Sequence, residues 1–112
     1  MTTTKQRIEI ERKVVRHLIR TARKHGFNLV RVWDGGENIP VETENEALDA
    51  VFAVDEATIR FRRNGDAKTH CAVIVLGNNG WDAIADSSMG EGWDSVMDEM
   101  DAYANKLQEN EA

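Results

Sequence analysis

The residues able to do acid–base, nucleophilic or metal chemistry are few, and their spacing rarely brings two together. His17 and His25 stand eight apart on a predicted helix: His17 flanks the apolar Leu18 and Ile19, and His25 falls in the last turn, where a ring favours the helix C-terminus. His70 and Cys71, the one cysteine, are adjacent on a predicted strand. Neighbouring strand residues point to opposite faces, so these two do not form a thiol–imidazole pair, and Cys71 reads as a small buried apolar residue. Asp55 followed by Asp66-Ala67-Lys68 loosely echoes the acid/acid-x-Lys pattern of a nuclease core, but the second acid and the Lys fall in a predicted turn rather than on a rigid strand.

Gly-Trp-Asp occurs twice, at 80–82 and 92–94. A calcium loop begun at Asp86 would need an oxygen ligand at its fifth position, Gly at the sixth and Glu at the twelfth. Gly90, Glu91 and Met97 stand there instead. The two copies read as two local jobs. Gly80 supplies a positive φ in a turn before Trp81, and Gly92 opens a helix whose first apolar knob is Trp93 and whose first turn carries Asp94. No Walker loop and no Gly-x-Gly-x-x-Gly is present. The sequence therefore predicts a protein that is not an enzyme, with no catalytic residue, no metal site and no cofactor. The remaining enzymatic reading would assemble Asp34, Glu37, Asp55 and Arg60.

Charge is the larger signal. The formal net charge is −6, but residues 1–34 carry nine Lys/Arg against three Asp/Glu, and residues 35–112 carry five against seventeen. Arg12, Arg16, Arg20 and Arg23 are spaced four, four and three apart and share one helix face, a candidate nucleic-acid surface. Asp86, Glu91, Asp94, Asp98 and Asp101 crowd the other end of the chain, a candidate protein-binding surface able to meet a basic partner or imitate DNA phosphates. The plainer reading is that the two sets are solvated or partly neutralise each other.

The elements that must position these residues follow from periodicity. Thr3 with Gln6 makes a capping box, and Ile8, Val15, Leu18, Ile19 and Ala22 form an apolar stripe, so residues 4–25 read as a helix stopped at Gly26. Leu29–Trp33 reads as a strand ended by Asp34-Gly35-Gly36. Thr43 with Glu46 caps a short helix through Ala47, Leu48, Val51 and Phe52. Ala57–Arg63 alternates as a half-buried strand, His70–Leu76 is apolar on both faces and reads as central, and Asn78-Asn79-Gly80 predicts a tight hairpin returning through Trp81–Asp86. Trp93, Val96, Met97, Met100, Tyr103, Ala104 and Leu107 make the stripe of a final helix, with residues 107–112 as a fraying tail. The expectation is a single α+β domain, residues 1–112, in the order α-β-α-β-β-β-α, with a four-stranded, mainly antiparallel sheet and the helices packed on one face. No signal peptide and no membrane-length apolar run is read, so a cytoplasmic location is expected.

VRVWDGGENIPV, DEATIRFRRNG and VLGNNGWDAIAD resemble segments of small uncharacterised proteins encoded by phages, prophages and plasmids, over most of residues 5–95. The chain departs from that pattern at Ser87-Ser88, where an aromatic often follows Asp86. The resemblance implies a mobile-element origin and carries no catalytic residue across. The expected function is a non-enzymatic protein that binds or inhibits a host or phage protein through its acidic surface. The alternative is a nucleic-acid-binding accessory protein using the basic first helix. A homodimer, through an edge strand or an exposed helix face, is compatible with either.

Overall fold

The computed structural model describes residues 3–111 and forms one α+β unit of three helices on one side of an antiparallel sheet. Helix α1 spans Thr4–Lys24, with the Thr3 hydroxyl accepting from the Gln6 N–H and the Gln6 side chain returning to the Thr3 N–H. Strand β1 spans Phe27–Trp33, β2 Asn38–Pro40, helix α2 Glu44–Val51, strands β3 Glu56–Arg63, β4 Thr69–Val75 and β5 Ile84–Ser87, and helix α3 Trp93–Glu111. The sheet order is β2-β1-β3-β4-β5, every neighbouring pair antiparallel. The fold class is as expected, but the sheet has five strands rather than four.

The added strand, β2, has a local cause. The Asp34 carboxylate accepts the N–H groups of Gly36 and Glu37, and Gly35 takes φ +98°, which folds the chain into a hairpin. Three residues then pair with β1, with Pro40 tolerated because the strand is an edge. A second difference lies at residues 78–83. Gly80 adopts φ +102°, but the chain makes a wide turn rather than a two-residue hairpin, and β5 begins at Ile84 instead of Trp81. Asp82 holds the turn by accepting the N–H groups of Asn79 and Gly80.

One core lies between sheet and helices. From α1 it takes Ile10, Val14, Val15, Leu18, Ile19 and Ala22; Ile8, expected in that stripe, is 38% exposed and borders a recess with Phe52, Val54 and Leu76 instead. Trp93 is fully buried, with Phe27 edge-on at 5.1 Å, Phe61 at 5.1 Å and His70 stacked at 5.7 Å. Trp93 thus fixes the start of α3 against three strands, an arrangement that aromatic burial strongly favours. In β4, His70, Ala72 and Ile74 face this core, while Cys71 and Val73 face the opposite, helix-free side. The centre of the sheet is β3, with β4 beside it. Helix α3 is continuous to Glu111, with Leu107 still packed at the core margin; Ala112 lies outside the described residues. Among the described residues no helix is long and apolar enough to cross a membrane.

Candidate functional site

The apolar stripe of α3 rotates its opposite stripe into solvent. Val96 and Met100 are buried, so Asp94, Asp98 and Asp101, four and three residues apart, stand exposed on the outer face. Asp94 sits in the first turn, where the helix dipole favours it, and accepts a long 3.4 Å hydrogen bond from the Gly90 N–H. Asp98 and Asp101 enter none of the ion pairs among the described residues. Glu99, on the flank of the helix, is engaged differently: it accepts from Lys24 Nζ at 2.5 Å and from His25 Nε2. Those two hydrogen bonds, Lys24 first, hold the Glu99 carboxyl below the usual glutamate range.

The other two acidic residues do not join this face. Glu91 lies in the turn before α3, beside a shallow recess bordered by Arg63, Asp66, Lys68 and His70. Asp86 lies across from Val73 in the β4–β5 register, and so falls on the side of the sheet away from the helices. The strand places it there: cross-strand partners share a face, and Ala72 and Ile74 occupy the core side.

Beside Asp101 runs a cleft of about 290 Å³ between α3 and the Trp81–Ile84 segment. Met97, Met100, Trp81 and Ile84 line its apolar part, and Asp82 and Asp101 are its acidic members. Two features position the far wall. Gly80 packs so tightly on α1 that an added Cβ would lie 2.9 Å from Ile10 Cγ2 and 3.2 Å from the Arg7 carbonyl oxygen. Glu11, 1% exposed, accepts the Gly77 N–H at 2.8 Å and stands 3.6 Å from Arg7 Nε, so a buried carboxylate on α1 anchors the start of the loop.

The basic face of α1 is largely occupied by the protein itself. Arg16 and Arg20 both reach Glu44, at 3.6 and 2.9 Å, at the N-terminus of α2. Arg23 donates to the Glu42 carbonyl, and the Arg12 guanidinium lies 4.8 Å from the Phe52 ring centre. Lys13, Arg16 and Arg20 also border a groove with His17 and Tyr103, whose rings stack at 3.9 Å. Burial there pushes the His17 imidazole below its ordinary value, with Glu99 opposing and Lys24 and Arg20 reinforcing the shift.

The remaining chemistry-bearing residues stay apart. His70 is buried against Gly90, Phe27 and Trp93, while the adjacent Cys71 faces the open side of the sheet. Asp34 serves its turn, Asp55 borders a recess with Arg7 and Glu11, and Arg60 donates to the Thr69 hydroxyl at 3.4 Å. Asp66 accepts the Lys68 N–H at 3.0 Å, which lowers its pKa and marks it as a turn residue. Among the described residues no three His, Cys, Asp or Glu side chains stand close enough to hold a metal ion.

Met97 and Met100 belong to the core stripe in the sequence pattern and Trp81 to an expected strand, so the cleft they share is not legible there. No local signal announces it, because its two walls are distant in the chain. Glu11 was likewise unmarked, though a carboxylate one helical turn before Val15 and Val14 on the inner face was a sign of burial. No family model, no curated protein and no solved structure matches this chain.

Proposed function

We propose that this chain is a non-enzymatic binding protein of mobile-element origin, which engages a basic segment of a host or phage protein through α3 and the cleft beside it. The observation that carries the reading is Asp101 on the border of a cleft lined by Met97, Met100, Trp81 and Ile84, with Asp98 three residues before it on the exposed face of α3 and neither aspartate in an ion pair among the described residues. Carboxylates beside a methionine- and tryptophan-lined recess suit a segment that carries Lys or Arg next to apolar side chains. The aspartates would mainly steer and orient the partner, while apolar contact in the cleft would supply affinity. Inhibition of a host defence or nucleic-acid enzyme is one concrete form, because α3 displays carboxylates one helical turn, about 5–6 Å, apart, as a phosphate mimic would. The engagement of Arg16 and Arg20 by Glu44 weighs against α1 as a principal phosphate-binding surface.

The test is affinity capture from nuclease-treated lysate of infected and uninfected bacteria, using the wild type beside Asp98→Lys/Asp101→Lys. A protein retained by the wild type and lost by the variant supports the reading; equal retention by both refutes it.

A further inference from the structure

The helix-free face of the sheet carries a second and oppositely charged surface. A β-bulge between Leu29 and Arg31 creates it. Before the bulge, Leu29 lies opposite Phe61 and faces the core; after it, Val32 lies opposite Ile59 and faces the core. Two residues of one strand that are three apart share a face only because the bulge absorbs one residue. Its effect is to turn Arg31 and Trp33 outward, where Arg31 meets Arg60 and Trp33 meets Thr58. Arg62, two residues beyond Arg60, continues the same face and is exposed, and Trp33 is 39% exposed.

Like charges directly opposite on neighbouring strands are unfavourable. Here Arg31 and Arg60 are such a pair, Arg62 stands next to them, and none of the three enters an ion pair among the described residues. The carboxylates of this face, Glu56 and Asp86, sit opposite Val75 and Val73 rather than opposite an arginine. From the Trp33 row to the Arg62 row is four residues of β3, about 13–14 Å. An aromatic ring followed by a line of unpaired guanidinium groups is complementary to a base stacked on the ring and to the phosphates that follow it.

We propose that this face, built on Trp33, Arg31, Arg60 and Arg62, binds single-stranded nucleic acid. The proposal is independent of the acidic α3 surface, which lies on the other side of the sheet. Its site also differs from α1, whose arginines are engaged by α2 and its flanks.

The test is fluorescence anisotropy of the full chain with labelled single-stranded DNA and RNA oligomers of about 12 nucleotides, and with a duplex of equal length. With about three phosphates contacted, the log–log salt slope for single strands is about −2, so affinity falls about 20-fold between about 50 and about 200 mM salt. Arg62→Ala, at an exposed position, lowers the slope magnitude by about 0.7, and Trp33→Ala weakens binding by roughly 5- to 150-fold, the worth of one stacked base. Circular dichroism establishes that each variant is folded, and Arg62→Ala carries the test if Trp33→Ala is not. Arg16→Ala/Arg20→Ala on α1 leaves binding unchanged. Absence of salt-dependent binding, duplex bound as tightly as single strands, or loss of binding in the α1 variant alone overturns the proposal. So does a dimer in size-exclusion chromatography that Trp33→Ala converts to monomer, which assigns the face to a second copy of the chain.

Discussion

Glu11 offers the sharpest test of how the cleft is built. Its carboxylate is almost wholly buried, accepts the Gly77 N–H at 2.8 Å and faces Arg7 Nε at 3.6 Å; that nitrogen is buried and has no hydrogen-bond partner among the described residues. A hydrogen bond to a charged group contributes about 1.5–3 kcal/mol. Removing one partner of a fully buried pair costs about 3–5 kcal/mol. The Arg7 side chain is 27% exposed, so water offsets part of that loss for it. Glu11→Ala is therefore expected to destabilise by about 3 kcal/mol, from the lost charged hydrogen bond and part of the pair, equivalent to roughly 10–15 °C in Tm. Glu11→Gln keeps an acceptor for Gly77 but loses the charge beside Arg7, and should cost about 1 kcal/mol. Urea denaturation followed by tryptophan fluorescence reads both values. A double-mutant cycle with Arg7→Ala should return a coupling of about 0.5–2 kcal/mol. Equal stability of Glu11→Ala and Glu11→Gln, or a coupling near zero, would refute the anchoring argument. Because the loop that begins at Gly77 leads to Trp81 and Asp82, Glu11→Ala should also weaken any ligand of the cleft more than Glu11→Gln does.

Gly80→Ala combines a positive φ with a Cβ 3.2 Å from the Arg7 carbonyl oxygen, and thermal unfolding should show a loss of about 2–4 kcal/mol. Trp93→Ala removes the ring that joins Phe27, Phe61 and His70, and should cost about 3–5 kcal/mol in denaturant titration. His17 titrates below its ordinary value in the folded state, so its neutral form is favoured there and stability falls as pH drops through 6.5 toward the folded pKa. His17→Asn should flatten Tm against pH in that window and nowhere else. The lowered Glu99 carboxyl contributes stability that is present above its unfolded value of 4.5 and lost as pH falls through the folded one, so Glu99→Gln should reduce the acid sensitivity of Tm below about pH 4.5. Asp98→Lys relieves repulsion from Asp94 one turn away, and should leave stability unchanged or raised by about 0.2–0.5 kcal/mol.

The elements legible in the sequence were those whose signals are local. Thr3 with Gln6 and Thr43 with Glu46 do form reciprocal caps, and the Trp93-to-Leu107 stripe does face the core. The helix-start role assigned to Gly92 and Trp93 matches Gly92 at φ +81° and a buried Trp93. What escaped depends on long-range register. Three residues of β2 are too short for an alternation pattern and exist because β1 offers an edge. The bulge at Val30 is invisible in FNLVRVW, where simple alternation puts Leu29, Arg31 and Trp33 on one face; the structure separates Leu29 from the other two. Asn-Asn-Gly resembles a two-residue hairpin and so predicts Trp81 in a strand, yet Asp82 closes a wider turn through its side chain. The acidic cluster is legible as composition, but only the topology sends Asp86 to the far side of the sheet and sets Asp101 on the cleft, with Asp98 on the exposed face of α3. The α1 arginines form one face as their spacing predicts, and their engagement by Glu44 and Glu42 depends on where α2 docks.

The most direct test of the central claim is quantitative capture of protein partners from nuclease-treated lysate by wild type, Asp98→Lys/Asp101→Lys and Arg16→Glu/Arg20→Glu, each shown to be folded. The account predicts a protein held by the wild type and by the α1 variant, and released by the α3 variant or by raised salt. A partner held equally by the wild type and the α3 variant, or lost only on reversal of the α1 arginines, would contradict it.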